Sequence, residues 1–268
     1  MLIRVTDAAD PRLDRFRWRE RQLASRHDRA ESVGAGLFVA EGDLVVDRAL
    51  VAECTPVALL CDDTWGARLS ERLPRVDVFV GDEALRRDVT GLGVPLRATG
   101  LFRRPALLDP DDLAVRARFI VLVEAVDNPT NLGAIVRSAA ALGWDALILD
   151  SSSADPLARR ALRVSMGSAL GVPFARLSPD DTVSAFLGRH ACEAYALTPR
   201  VDGLDISVVR PGAGKVVLML GSERDGLTTG TLAAGRLVRI PMHAGIDSLN
   251  VGAAAAIALH ALGPNALH

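Results

Sequence analysis

Three short stretches hold side chains able to do chemistry, and each directly follows a run of apolar residues. The first is Val126-Asp-Asn-Pro-Thr-Asn-Leu-Gly-Ala-Ile-Val-Arg137. Pro129 shapes a turn, Asn131 is expected to cap the helix that follows, and Gly133 lets a ligand or another backbone come close. Arg137 lies one turn further along that helix, so its guanidinium can reach back over the loop. The second stretch is Gly221-Ser-Glu-Arg-Asp-Gly226, a tight polar turn that presents Glu223 just before a helix. The third runs from Ile240-Pro-Met to Asp247-Ser-Leu-Asn250 and opens an Ala-rich helix, where side-chain oxygens can accept from free backbone N–H groups.

Each stretch alone has a structural reading: Arg137 as a surface ion-pair partner, Glu223 as a cap, the third loop as an ordinary helix start. Together they read as a site, because open α/β sheets bind ligands at the carboxyl ends of their strands.

Other chemistries find little support. No G-x-G-x-x-G follows a strand, and Gly212-Ala-Gly-Lys215 lacks the glycine spacing of a phosphate loop and has Val216 where that loop needs Ser or Thr. The five histidines, His27, His190, His243, His260 and His268, show neither metal nor triad spacing. Cys54, Cys61 and Cys192 are widely separated and read as small buried hydrophobes, so no metal is expected.

The chain has 268 residues, enough for two domains. A net charge of −2 excludes a protein that coats nucleic acid through its overall field. RNA binding would have to use local patches, such as Arg12, Arg15, Arg17, Arg19, Arg21, Arg26 and Arg29. Nearly all the positive charge is arginine, with Lys215 the only lysine. No apolar run is long enough to span a membrane and the start lacks a signal-peptide pattern, so a cytoplasmic protein without a membrane partner is expected.

Strand-like and helical patterns alternate along the whole chain, the mark of α/β layers. Helical spacing runs over residues 12–24 and a break follows at Gly34-Ala-Gly36. Strands are expected at Leu37–Ala40, Val57–Cys61, Val76–Val80 and Pro95–Phe102, with helices after Asp43, around Ala67–Leu73 and at Asp82–Val89. The proline- and charge-rich segment Arg103–Asp112 reads as a linker. Beyond it, Phe119–Ala125 is apolar on both faces, as in a parallel strand covered by helices. Further strands are expected at Ala146–Leu149, Ala194–Leu197, Val216–Leu220 and Leu237–Ile240. Helices are expected at Leu132–Leu142, Leu157–Ser165, Thr182–His190 and shortly after Gly226.

In order and spacing, the three loops resemble the signature motifs of the SpoU (TrmH-like) branch of the SPOUT RNA methyltransferases. The matching residues are Asn131-x-Gly133-x-x-x-Arg137-x-Ala139, then Leu220-Gly-Ser-Glu223 with Gly226-Leu227, then Ile240-Pro-Met with Ser248-Leu-Asn-Val251. Arg163-Val-Ser-Met-Gly167 also looks like a family segment. The resemblance covers residues 117–268, while Phe38-Val-Ala-Glu-Gly42 is more loosely similar to the L30e-type RNA-binding domain that often precedes it. Arg224, where the family often has Gly, and Gly252, where a slightly larger residue is common, are departures that remove no reactive group.

The resemblance implies an α/β protein: an L30e-like domain over 1–105, a linker over 106–116, and over 117–268 a parallel-sheet methyltransferase domain with a deep trefoil knot. It implies S-adenosyl-L-methionine as cofactor, held near Leu197, Thr198, Gly221, Ile240 and Leu249. It also implies transfer to a ribose 2′-hydroxyl, with Arg137 as the central catalytic group and Asn131, Glu223, Ser248 and Asn250 arranged around it. A homodimer is expected, with ribosomal RNA favoured over transfer RNA as substrate. The competing readings are a transfer-RNA enzyme, a non-catalytic RNA-binding protein of this fold, and an unrelated nucleotide-dependent enzyme.

Overall fold

The structure is a computed structural model that describes residues 1–24, 36–243 and 246–264. Arg26, Arg29, most of the Gly34–Gly36 break, and Ala244 and Gly245 of the third loop therefore lie outside the described residues. The chain divides into two compact units: residues 1–106 with 157–171, and residues 107–156 with 172–268.

The first unit is built on five strands: β1 (Leu2–Arg4), β2 (Leu37–Glu41), β3 (Pro56–Cys61), β4 (Asp77–Val80) and β5 (Ala98–Arg103), in the order β1-β4-β3-β5-β2. β1, β4 and β3 run parallel, and β5 runs antiparallel to both of its neighbours. Short helices α1 (Asp14–Arg17) and α2 (Glu20–Leu23) precede β2, followed by α3 (Asp43–Val51), α4 (Asp63–Arg72) and α5 (Glu83–Thr90). Asp62 and Asp82 start α4 and α5 by accepting from Trp65 N and Leu85 N at 2.7 and 2.8 Å. Leu13, Phe16, Val39, Leu60, Phe79 and Leu101 belong to its core.

The helix expected over 12–24 is interrupted. Trp18 and Arg19 are extended, and Gln22 Oε1 accepts from Arg19 N at 3.0 Å to restart the helix. A tertiary demand competes with the helical ladder. The Arg159 guanidinium donates to Phe16 O at 2.8 Å and Trp18 O at 2.9 Å, so those carbonyls are turned toward it. Arg159 belongs to α8 (Arg159–Val164), which packs on β2. Arg159 and Arg163 both bind the Glu41 carboxylate, whose side chain is only 1% exposed. The segment Arg163–Gly167 thus belongs to the first unit, although the family resemblance reads it with the C-terminal part.

The second unit has seven strands: β6 (Phe119–Val123), β7 (Ala146–Leu149), β8 (Phe174–Arg176), β9 (Glu193–Leu197), β10 (Leu204–Asp205), β11 (Val216–Leu220) and β12 (Arg236–Arg239). Their order is β10-β12-β9-β11-β6-β7-β8, and every pairing is parallel. Each residue of β6, β7 and β11 is buried, as a sheet covered on both faces requires. The helices are α6 (Pro110–Arg116), α7 (Pro129–Ala141), α9 (Val183–Gly188), α10 (Thr229–Ala233) and α11 (Val251–Leu262).

Residues 106–116, read from sequence as a linker, contain α6. Asp109 accepts from Asp111 N and Asp112 N at 2.9 and 3.0 Å, Pro110 takes the first helical position, and Leu113 and Ala114 are buried. The prolines and charges that suggested a linker are the start signals of a helix. The short strands β1, β8 and β10 were not expected; at two or three residues they carry no alternation to read.

α11 packs against α7 and β11. A Cβ at Gly252 would stand 2.9 Å from Ala134 Cβ, so glycine permits the close approach of these helices. Trp144 Nε1 donates to Leu259 O at 3.0 Å, fixing α11 at its other end. Among the cysteines, Cys61 is buried, which pushes its thiol up to about 12, while Cys54 and Cys192 are partly exposed. No helix among the described residues is long and apolar enough to cross a membrane.

Candidate active site

The three polar loops leave the carboxyl ends of β6, β11 and β12, in the middle and on one side of the seven-stranded sheet. β11 pairs with both β6 and β9, and β9 pairs with β12, with Met219 opposite Ala196 and Leu197 opposite Val238. Leu197 and Thr198, Gly221 and Ile240 therefore stand at the ends of three adjacent strands. Thr198 is buried, and its N–H donates to Val238 O at 2.9 Å, which closes the β9–β12 ladder.

Asn250 joins the loops. Its Oδ1 accepts from Gly252 N at 3.0 Å and Ala253 N at 3.3 Å, which caps α11. That fixes the amide's orientation and turns Nδ2 toward the other two loops. Nδ2 donates to Asn131 Oδ1 at 3.1 Å and to Glu223 Oε1 at 2.6 Å, so both of its hydrogens and both lone pairs of its oxygen are used. The bond to Glu223 is short because its acceptor is a carboxylate. One side chain from each loop thus meets at a single amide.

Asn131 is not the cap of α7. Asn128 is extended and accepts from Thr130 N at 2.9 Å, Pro129 takes the first helical position, and Asn131, in the first turn, is buried toward Asn250. Glu223 is not a cap either: Thr228 caps α10, accepting from Thr231 N at 3.3 Å. The turn between them is held by reciprocal bonds between Ser222 and Gly226, with Asp225 N donating to Ser222 Oγ at 3.1 Å. Gly226 has φ +69°, and a Cβ on Gly221 would fall 2.2 Å from the carbonyl carbon of Gly226. Both positions require glycine.

Arg137 is exposed on α7 and has no ion pair or hydrogen bond with another described residue. The ordinary alternative, a surface salt bridge, is absent among the described residues. Its positive charge is open to solvent on the helix that also carries Asn131. Ser248 and Leu249 are exposed in the third loop, and Ser248 is not drawn into the Asn250 cluster. Ile246 beside them is 59% exposed, so this loop offers an apolar surface.

Glu124, which sequence reasoning passed over, ties two of the loops. At the end of β6 it is 8% exposed and accepts from Thr228 N at 2.8 Å, Thr228 Oγ1 at 3.0 Å and Thr231 Oγ1 at 2.7 Å. It joins the strand before the Asn131 loop to the helix after the Glu223 turn. The signal was a lone charge ending an apolar strand, followed by Ala125 at a left-handed φ of +55°. Glu124→Ala takes the acceptor from Thr228 N and Thr231 Oγ1, while Thr228 Oγ1 keeps Thr231 Oγ1 at 3.0 Å, and is expected to destabilise the chain by roughly 2–4 kcal/mol. Urea denaturation measures it; a change under about 0.5 kcal/mol, the range of ordinary surface substitutions, would show that the tie is not structural.

Comparison with known proteins places the chain in a family. The family model described as the SpoU rRNA Methylase family matches residues 118–260. An uncharacterised tRNA/rRNA methyltransferase of Mycobacterium bovis is 36% identical over 262 residues, covering 96% of this chain and 90% of its own. The 23S rRNA (guanosine(2553)-2′-O)-methyltransferase of Bacillus subtilis is 26% identical, over 88% of this chain and 92% of its own. Among solved structures, an AdoMet-bound rRNA methyltransferase from Sinorhizobium meliloti superposes with a TM-score of 0.80 at 25% identity, over 97% of both chains.

Proposed function

Because this chain belongs to the SpoU rRNA methylase family, we propose that it transfers the methyl group of S-adenosyl-L-methionine to a ribose 2′-hydroxyl of RNA, with ribosomal RNA the substrate in preference to transfer RNA. The observation that carries this reading is the Asn250 amide, which binds Asn131 and Glu223 at once, Asn131 lying on the same helix as the exposed Arg137. Preference for ribosomal RNA rests on the activity of the Bacillus subtilis relative, a 23S rRNA methyltransferase, and on the presence of the first unit.

The residues present fit the cofactor. The ends of β9, β11 and β12 lie side by side, and Gly221 has no side chain between the β11 end and the loops. Backbone groups at Leu197, Thr198, Gly221 and Ile240 would hold the nucleoside, and Leu249 with Ile246 would cover its apolar faces. When bound, the sulfonium supplies an already activated methyl group. The protein's tasks are then alignment and charge stabilisation.

A guanidinium has donors and no acceptor, so Arg137 acts as an electrostatic group: it holds the phosphate next to the target ribose and stabilises the oxyanion as the 2′-hydroxyl releases its proton to water. Asn131, Glu223 and Asn250 fix the three loops in register. Ser248 extends this wall from the third loop.

The same reading includes an L30e-like RNA-binding domain over 1–105, a joining segment over 106–116 and a knotted methyltransferase domain over 117–268, in a cytoplasmic homodimer. The strand order supports the knot, since β12 and β11 flank β9 while α11 returns to pack beside α7. Exposed Ala253 and Ile257 on α11, next to the small residues of α7, support helix contact between two copies.

Isothermal calorimetry with S-adenosylmethionine tests the reading. One saturable site per chain is expected, and no saturable heat at millimolar donor would favour a non-catalytic RNA-binding protein of the same fold.

A further inference from the structure

A cleft of about 380 Å³ lies wholly within the first unit, bounded by the α1–α2 break and α8. Its walls include Phe16, Trp18, Arg19, Arg159, Arg160 and Arg163. With Arg17, five arginines line it against two glutamates, Glu20 and Glu41, an excess of three positive charges in a chain whose net charge is −2. Of the two acidic groups Glu41 faces inward, and Glu20 is partly exposed. Glu41 is buried between Arg159 and Arg163, and Glu20 Oε1 accepts from Arg159 N at 2.9 Å. Arg17, Arg19 and Arg160 are exposed, and the Arg17 guanidinium also donates to Ala8 O and pairs with Asp14 at 3.4 Å. Trp18 is half-buried at the rim, with the Arg15 guanidinium 5.7 Å from its ring centre.

We propose that this cleft seats a single-stranded stretch of the RNA substrate, one base stacked at Trp18 and the flanking phosphates bound by Arg17, Arg19 and Arg160. An aromatic ring set among arginines is the arrangement that holds a base and its backbone without reading sequence. The volume suits one nucleotide, which is the scale of small-molecule pockets. The ion pairs behind the cleft give it a rigid floor: Arg159 is anchored by Glu41, Phe16 O and Trp18 O, so the extended turn that presents Trp18 is fixed. This inference rests on RNA being the substrate.

The test uses the full chain and a fluorescein-labelled 16-nucleotide oligouridylate, so that binding is read independently of methyl transfer. Trp18→Ala should weaken binding roughly 5- to 150-fold. Arg19→Gln and Arg160→Gln should each lower the slope of log affinity against log salt by about 0.7, the loss of one phosphate contact on a single strand. Arg19 and Arg160 are exposed, whereas Trp18 is half-buried against the first unit's core, so circular dichroism verifies the fold of each variant. S-adenosylmethionine affinity should stay as in the unaltered chain. Variants that lose oligouridylate binding uphold the cleft even if no methyl transfer to RNA is found, which would count against the proposed reaction alone. Unchanged affinity and salt slope in all three variants, or an unaltered chain that does not bind the oligonucleotide, would overturn it. So would equal displacement of the probe by polyglutamate and by oligouridylate, which would make the cleft a general anion patch.

Discussion

Replacing Arg137 with alanine is expected to lower methyl transfer by at least 100- to 1,000-fold while leaving S-adenosylmethionine affinity within about threefold. The reason is positional. Arg137 lies on the exposed face of α7, makes no ion pair with another described residue, and takes no part in the Asn131–Asn250–Glu223 hydrogen bonds. Its removal should neither disturb the fold nor loosen the loops. Its charge, in contrast, is carried on the same helix as Asn131, so a developing oxyanion would lose its stabilising partner. Arg137→Lys keeps the charge without the planar fork and should recover only part of the rate. Single-turnover kinetics with saturating donor separates this from a binding defect; a rate within fivefold of the unaltered chain would take Arg137 out of the chemistry.

Gly221→Ala is expected to abolish donor binding, with affinity reduced by more than about 100-fold. The added Cβ would fall 2.2 Å from the carbonyl carbon of Gly226, 2.4 Å from Leu227 N and 2.5 Å from Gly226 O. Backbone on both strands of the turn must move, and the reciprocal Ser222–Gly226 bonds are what hold it. Strain of this kind costs about 1–3 kcal/mol, which a domain of this size survives, so the variant should fold with its Glu223 turn displaced. Glu223 would then lose Asn250, and the end of β11 would no longer be shaped for a ligand. Calorimetry reads the affinity and thermal unfolding confirms the fold. Affinity within a few fold of the unaltered chain would mean that this turn does not form part of the donor site.

The sequence made the frame of the second unit legible. The apolar runs of β6 and β11 can be satisfied only by burial on both faces, and the Ala-rich stretch after Asn250 reads as α11. The grouping of the three loops followed from strand ends that had to be neighbours. What each side chain does within the loops was less legible. Asn131 and Asn128 are both plausible caps by composition, and only the extended backbone of Asn128 decides between them. Glu223 reads as a cap because the donor it accepts from, Asn250, lies 27 residues further on, and sequence spacing cannot express that meeting. Glu124 escaped notice for the same reason: its donors are more than 100 residues away. In the first unit, the break between α1 and α2 is imposed by Arg159, more than 140 residues from Trp18. Local pattern describes elements well, and long-range polar contacts then bend or re-aim their ends.

The account turns on whether three loops gathered at one amide hold a methyl donor against a ribose. Protein-free ribosomal RNA incubated with this chain and S-adenosylmethionine carrying a labelled methyl group, then hydrolysed with alkali, tests that most directly. A 2′-O-methyl group blocks cleavage of its own phosphodiester, so the account predicts label in an alkali-resistant dinucleotide, and its absence with Arg137→Ala. Label recovered in a base, or equal labelling by the Arg137→Ala chain, would contradict it.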